Sequence, residues 1–248
     1  MPWTATTWLV VGVFGVATLV RATFGFGEAL IAVPLLAFVL PVEIAAPVAV
    51  LISITVAAIV VAQDWRRVHL RAAGWLVLSS VLGIPLGLLL LRSVPEAGVK
   101  AALGAVVAGF SACYFLNGGW PALEDDRLAW TFGLLAGVLG GAYGLNGPPL
   151  VVYGTLRRWS PGRFRATLQG YFLPVSVMGM IGYWVAGLWT STVSGYYLRA
   201  LPIVLVATVL GGWASRRLES DRFLVFVHAG LIAIGVALVA QAVVAAWF

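Results

Sequence analysis

Several long stretches of this chain contain no Asp, Glu, Lys or Arg, and they constrain its fold more than any other feature. Among them are residues 44–63, 72–91, 128–156 and 166–198. A helix needs about 20 mainly apolar residues to cross a bilayer, and each stretch is at least that long. Only 10% of the 248 residues are charged, too few to cover the surface of a soluble domain. The sequence therefore predicts an all-α, polytopic integral membrane protein.

Ten apolar segments can be marked along the chain, separated by loops that contain most of the charged residues. The acidic loop 117–127 is the predicted linker between two halves. We therefore predict an N-terminal membrane repeat over residues 1–116 and a C-terminal membrane repeat over residues 128–248. The predicted segments are 6–22, 28–40, 44–63, 72–91, 98–116, 128–143, 147–156, 166–187, 197–214 and 224–246.

The basic residues are distributed unevenly among the loops. If alternate loops share one side of the membrane, that side holds eleven of the 15 Lys and Arg residues and the other side holds three, with Arg21 unassigned. The positive-inside rule makes the richer side cytoplasmic, which places both termini outside. Because no basic residue precedes Arg21 and no clear cleavage site follows, we expect the first segment to be a retained span. The net charge of +6 thus indicates orientation, and no nucleic-acid partner is expected.

Two glycine-rich breaks interrupt the apolar pattern, one near the start of each half. The first reads RATFGFGEALIAVPLL from Arg21, and the second reads GGAYGLNGPPLVVYG from Gly140. Helices broken at corresponding places in two halves are the best sequence indication of a transporter's binding site. Broken backbone at membrane depth must also be buried in protein or line a wet cavity.

The breaks also define the predicted topology. The seventh segment has about ten residues and is too short to cross the bilayer, so segments six and seven predict a re-entrant hairpin. Segments one and two would form its inverted counterpart. Because each half has an odd number of segments, the predicted fold is two inverted repeats of about five segments each, with eight to ten segments in total.

Each break precedes a helix start, where unpaired N–H groups and the positive end of the helix dipole favour an anion. Glycine permits unusual backbone conformations and close approach of a ligand, and proline suits a first helical position. The alternative is that small residues only allow close helix packing. The residues predicted to surround a small anion on this basis are Gly25, Gly27, Gly144, Asn146, Gly147 and Pro148.

Glu28 and Arg21 are the charged residues nearest the first break. An ionisable group within a span indicates function by default. Glu28 is interpreted either as a proton-carrying group or as a charge that stabilises the helix start. Arg21 is interpreted as attracting the anion, as pairing with Glu28, or as extending to the membrane interface. We predict both as coupling residues.

Arg165 and Gln169 are four positions apart and would share one helix face. The guanidinium fork suits a pair of sulfonate, sulfite or carboxylate oxygens, and the amide adds further donors. We predict both as substrate-binding residues, with a role of Arg165 in the basic loop as the alternative. Packing roles are expected for Tyr143, Tyr153 and Tyr171, and solvated loop positions for Glu124, Asp125 and Asp126.

No metal site or cofactor is expected. The chain has one cysteine, Cys113, and its two histidines, His69 and His228, are far apart. An intramembrane enzyme would need a nucleophile beside a base. Because no such pairing is evident for the serines of the spans, the protein is not predicted to be an enzyme. No Walker-type motif indicates ATP hydrolysis either.

At these same residues the chain resembles the TauE/SafE family of sulfite exporters and sulfonate permeases. The resemblance is carried by FGFGEALIAVPLL at 24–36, GIPLG at 83–87 and GGAYGLNGPPLVVYG at 140–154, and it spans about residues 8–245. It implies that the glycine-rich segment of each half surrounds the substrate, which adds Phe26 to the predicted binding residues. Glu28 occupies a place where many members of the family have a small or apolar residue.

The function predicted from these observations is secondary transport of a small organic or sulfur-containing anion, such as sulfite or a sulfonate, across the bacterial inner membrane by alternating access. A passive anion channel is the alternative. The expected partners are the anion, the lipid bilayer and protons as a coupling ion, with a homodimer left open.

Overall fold

The computed structural model describes residues 3–116, 122–214, 232–233, 235–237, 239–240 and 242–244, and within them the all-α prediction is confirmed. A short 3-10 helix at Trp65–Arg67 follows α3. The described α-helices up to residue 214 are α1 (Ala5–Phe24), α2 (Glu28–Leu36), α3 (Val42–Asp64), α4 (Leu70–Ser93), α5 (Glu96–Leu116), α6 (Ala129–Tyr143), α7 (Gly147–Leu156), α8 (Pro161–Val185) and α9 (Ser191–Ala214).

These helices follow the predicted segments, with three differences at the ends. The second helix ends at Leu36 and continues as a turn, while α8 and α9 begin five and six residues earlier than predicted, at Pro161 and Ser191. Apolar composition marks the part of a helix that lies in lipid, whereas backbone hydrogen bonding continues into its polar ends. The last predicted segment, 224–246, lies largely outside the described residues, and so does His228.

The described residues include four helical segments that are long and apolar enough to cross a membrane: Ala5–Phe24, Val42–Arg67, Leu70–Ser93 and Ser191–Ala214. Their outer faces expose large apolar side chains, as on α4, where Leu82, Leu86 and Leu89 follow one another at helical spacing. Such a surface is suited to lipid and not to water. The chain is a multi-pass membrane protein.

The two short helices α6 and α7 form a hairpin whose ends lie together. They have 15 and 10 residues, so at 1.5 Å per residue they are about 22 and 15 Å long, less than a bilayer core. The backbone N–H of Leu123, before α6, donates to the carbonyl of Leu156, at the end of α7, at 2.8 Å. The hairpin therefore begins and ends at one side of the molecule, and its re-entrant position in the membrane stays a prediction.

Asp126 is not a solvated loop charge, contrary to our prediction. Its side chain is only 14% exposed and lies 3.2 Å from the Arg157 guanidinium. The Tyr153 hydroxyl donates to the same carboxylate at 2.7 Å, and Arg157 also donates to the Leu123 carbonyl at 2.8 Å. These contacts attach the linker between the halves to the end of α7.

The helices pack in an order that relates the two halves. In the described part of the chain, α1 packs on α9 and α4 packs on α6, while α3 packs on α8 and α2 contacts α7. Suppose that α1–α4 are exchanged with α6–α9 in chain order. The α1–α9 pair then becomes the α6–α4 pair, and the α3–α8 and α2–α7 pairs stay the same. This order supports two related repeats, and their inverted orientation stays a prediction.

Glycines bring α4 and α6 into backbone contact along their whole interface. Gly83 and Gly87 of α4 face a row of three α6 glycines, of which Gly137 is the middle one. A Cβ atom at Gly83 would lie 2.8 Å from the Val138 backbone nitrogen, and one at Gly137 would lie 2.6 Å from the Ser80 carbonyl oxygen. Small residues that let helix backbones approach are typical of membrane helix packing. This interface fixes α6, and with it the second break.

We expect Gly83→Ala to destabilise the fold by about 1–3 kcal/mol, because the new methyl group meets only backbone atoms and must push the two helices apart. Thermal unfolding in detergent measures the effect. Gly74→Ala, in the same helix, is the matched control, since a Cβ atom there has no neighbour within 4 Å. Equal melting temperatures for the two variants would contradict backbone contact between α4 and α6.

Candidate functional site

The first break consists of three residues between α1 and α2, two of which need to be glycine. Gly25 has φ of 89° and Gly27 has φ of 104°, in the left-handed region that other residues resist. A Cβ atom at Gly25 would also lie 3.1 Å from the Cα of Arg165. The reversal of the chain at this point therefore depends on both glycines.

The helix that follows the first break presents unpaired backbone donors. Its first intrahelical bond joins the N–H of Ile31 to the carbonyl of Gly27, at 3.0 Å. The N–H groups of Glu28, Ala29 and Leu30 consequently have no carbonyl one turn earlier within α2. The N-cap residue is Gly27, which has no side chain that could bind these groups. The start of α2 thus offers three donors at the positive end of a helix dipole.

The second break has the same form but fewer donors. Gly144 ends α6 with φ of 70°, and a Cβ atom there would lie 3.3 Å from the Ala46 carbonyl of α3. The next helix, α7, begins at Gly147 with Pro148 and Pro149 in its first turn. Proline has no N–H. Of the first three residues of α7, only Gly147 therefore has a backbone donor, whereas the first three residues of α2 all have one. The two helix starts are therefore chemically unequal.

Both breaks line one small cavity. Its free space is about 30 Å³, room for about two water molecules. Polar groups of Arg21, Glu28 and the two helix starts face apolar walls formed by aromatic and aliphatic side chains. The lining residues are Arg21, Phe26, Gly27, Glu28, Ala29, Leu30, Ser53, Gly144, Leu145, Asn146, Gly147, Pro148 and Phe172.

A buried ion pair lies at the polar side of this cavity. Arg21 Nη1 donates to Glu28 Oε2 at 2.7 Å, and the two side chains are 4% and 1% exposed. Of the alternatives for Arg21, pairing with Glu28 is therefore confirmed and extension to the membrane interface is wrong. The pair spans the first break, so it also ties the end of α1 to the start of α2.

Three further side chains hold the Arg21 guanidinium. Its Nη1 donates to Ser53 Oγ at 2.8 Å and its Nη2 donates to Gln169 Oε1 at 2.9 Å. The Phe172 ring lies 4.9 Å from Cζ in a cation–π contact. Ser53 in turn lies 3.0 Å from Ser176 Oγ. Arg21 is thus fixed by α2, α3 and α8 together.

One carboxylate oxygen of Glu28 has no hydrogen bond. Glu28 Oε1 is buried without a hydrogen-bond partner in the structure, while Oε2 is bound by Arg21. An unsatisfied charged oxygen is costly to bury. Because Glu28 lines the cavity, this atom is a position where a proton or a bound molecule would relieve the cost.

The eighth helix supports both breaks through its side chains. Gln169 Nε2 donates to the Gly25 carbonyl at 2.8 Å, and the Tyr183 hydroxyl donates to the Gly140 carbonyl at 3.2 Å. The Tyr171 hydroxyl hydrogen bonds Ser80 Oγ at 2.6 Å. Tyr143, Tyr153 and Tyr171, which were predicted to pack in the interior, are fully buried.

The structure brings together most of the residues predicted for the site. Gly25, Arg165 and Gln169 do not line the cavity. Gln169 has both ends of its amide engaged, by Arg21 and Gly25, and Arg165 packs against Gly25 through its Cα, Cβ and Cγ atoms. The predicted residues that do line it are Arg21, Phe26, Gly27, Glu28, Gly144, Asn146, Gly147 and Pro148.

Sequence reasoning missed Ser53 and Phe172. Ser53 is a hydroxyl within the apolar run LISITV of α3, a pattern that indicates either a local backbone bond or a buried partner. Phe172 lies three positions after Gln169 on α8, so it shares a face with a predicted site residue. Spacing along α8 was therefore the available signal for Phe172.

We expect Arg21→Met to destabilise the protein by about 3–5 kcal/mol at neutral pH, since it leaves Glu28 charged, buried and unpaired. Acidification should reduce the loss, because protonation removes the unpaired charge. Melting temperatures in detergent across a pH series measure both effects.

The double variant Arg21→Met/Glu28→Leu is the control, since two apolar side chains leave no unpaired charge at this position. It should be more stable than Arg21→Met alone. A double variant that is less stable than the single variant would show that the unpaired carboxylate is not the cause of the loss.

Comparison with known families adds one finding. The family model described as Sulfite exporter TauE/SafE matches residues 9–238 of the chain. No curated protein and no solved structure matches the chain.

Proposed function

Because the chain belongs to the sulfite exporter TauE/SafE family, whose members are transporters and not enzymes, we propose that it is a secondary transporter of a small organic or sulfur-containing anion. Sulfite and sulfonates are the substrate class that this family implies. We further propose the bacterial inner membrane as its location and alternating access as its mechanism.

The observation that carries this proposal is the shared cavity of the two breaks. Helix starts from the two halves line the same small space, and α2 contacts α7 directly. A buried space bordered by unpaired backbone N–H groups suits an anion, because these groups donate without any counter-charge of their own.

We assign the substrate's negative group to the start of α2. The N–H groups of Glu28, Ala29 and Leu30 lie there, and Arg21 lies beside them. The apolar walls, including Phe26 and Phe172, would contact the remainder of the molecule. In this arrangement Gln169 does not contact the anion. It holds Arg21 and the Gly25 carbonyl in position through its two hydrogen bonds.

Alternating access is supported by the packing order of the helices. The two hairpins, α1–α2 and α6–α7, meet across the cavity, and α3 and α8 pack between the halves. Movement of one repeat against the other would expose the cavity first to one side and then to the other. A free volume of about 30 Å³ is much smaller than the continuous pore that a passive channel needs.

Flux measurements in proteoliposomes test the proposed function. We expect saturable uptake of sulfite or methanesulfonate, with liposomes lacking protein as the blank. Conductance without saturation would favour the passive channel instead. Absence of flux for both anions would overturn the proposal. The mass of the protein in detergent separately tests the homodimer that the sequence leaves open.

We expect Gly147→Ala to raise the half-saturating anion concentration about tenfold or more, because the added methyl group takes up part of a very small cavity. The fold should be unaffected, since a Cβ atom at Gly147 has no neighbour within 4 Å. Gly12→Ala on the exposed side of α1 is the matched control, because its Cβ atom is equally unhindered. Equal affinities for the two variants would remove Gly147 from the site.

A further inference from the structure

The two terminal nitrogens of Arg21 are already hydrogen-bonded in this structure, whereas its Nε is buried without a partner. Nη1 is shared between Glu28 and Ser53, and Nη2 binds Gln169 and approaches the Ser53 carbonyl at 3.4 Å. An anion that enters the cavity therefore finds a guanidinium whose charge is balanced by Glu28. It also finds the carboxylate itself, since Glu28 lines the same space.

The charge state of Glu28 consequently decides whether the cavity accepts an anion. An ionised carboxylate repels a second negative group within a few ångströms and neutralises Arg21. A protonated Glu28 removes this repulsion, and its hold on Arg21 weakens because a charge-assisted hydrogen bond becomes an ordinary one. The start of α2 and the Arg21 guanidinium then both attract the anion.

Other ionisable groups do not compete for this role within the cavity. From α1 the group facing Glu28 is Arg21. The polar groups that α3 and α8 place around the ion pair are neutral: Ser53 and Gln169 bind Arg21, and Ser176 contacts Ser53. The second break contributes Asn146, and α5, which packs on α2, contributes nothing to the lining. Of the lining residues in the described structure, Arg21 and Glu28 are the ones that carry charge.

We propose that the substrate anion exchanges with the Glu28 carboxylate on Arg21, so that each anion is accompanied by one proton. The proton occupies Glu28, whose Oε1 is buried without a partner, and the anion takes the place of the carboxylate on Nη1. Release of the anion restores the ion pair and frees the proton on the same side of the membrane. This is one-to-one proton–anion symport, and it rests on the proposed transport function.

The test measures anion binding as a function of pH. Methanesulfonate is the probe, because its own charge stays constant across the neutral range. In the wild type we expect the apparent Kd to rise about tenfold for each pH unit on the alkaline side, the signature of one linked proton. In Glu28→Gln, which mimics the protonated side chain, the Kd should be low and independent of pH.

Glu43→Gln is the matched control. Glu43 stands in the first turn of α3 as Glu28 does in the first turn of α2, and it does not line the cavity. This variant should keep the slope of the wild type. A Glu43→Gln variant that loses the slope, or a Glu28→Gln variant that keeps it, would overturn the proposal.

A second measurement covers the case in which Glu28→Gln does not fold. A pH-sensitive dye inside wild-type proteoliposomes should report one proton entering with each methanesulfonate ion, whose own charge does not change. Flux of methanesulfonate without proton movement would overturn the symport and leave the transport function standing. Failure of the wild type to bind or move either methanesulfonate or sulfite would instead overturn the transport function itself.

Discussion

Backbone hydrogen bonding at membrane depth is the constraint on which this structure depends. In lipid an unpaired N–H or C=O group has no water to bind, so a helix can be interrupted only where protein groups or a polar cavity satisfy the exposed backbone. In this protein α8 supplies much of that support: Gln169 binds the Gly25 carbonyl and Tyr183 binds the Gly140 carbonyl. The same helix therefore permits both interruptions, and the donors left over at the start of α2 border a cavity.

The Arg21–Glu28 pair adds a second requirement. Two charges removed from water repay their desolvation only with good geometry and further hydrogen bonds. The guanidinium has such bonds to Ser53 and Gln169, whereas one oxygen of Glu28 has none. Arg21 Nε is also buried without a partner, so neither member of the pair is fully satisfied. A chain selected only for stability would gain by replacing both side chains with apolar ones. For this reason we assign the pair to the proposed transport function.

Local chemistry explains how much could be predicted from the sequence. Charge-free stretches, the glycines of the breaks and the proline pair all act within a few residues, so they located the helices and both breaks. Ser53 and Phe172 could not be assigned, because their role comes from Arg21, which lies 32 and 151 positions away in the sequence. Asp126 was misjudged for the same reason: its partner Arg157 belongs to the far end of the α6–α7 hairpin. The inverted orientation of the halves stays a prediction, since it needs a membrane to define the two sides.

Pro148 and Pro149 have a consequence for how the two breaks divide their tasks. Of the two breaks, the first carries the charged residues and the larger set of backbone donors. A solute bound there would lie off the centre of the cavity, with its negative group toward the start of α2 and its apolar part toward the start of α7. Such a binding site has a polarity that the bilayer does not impose. Two breaks that correspond in the packing order of the helices can therefore differ in their chemistry.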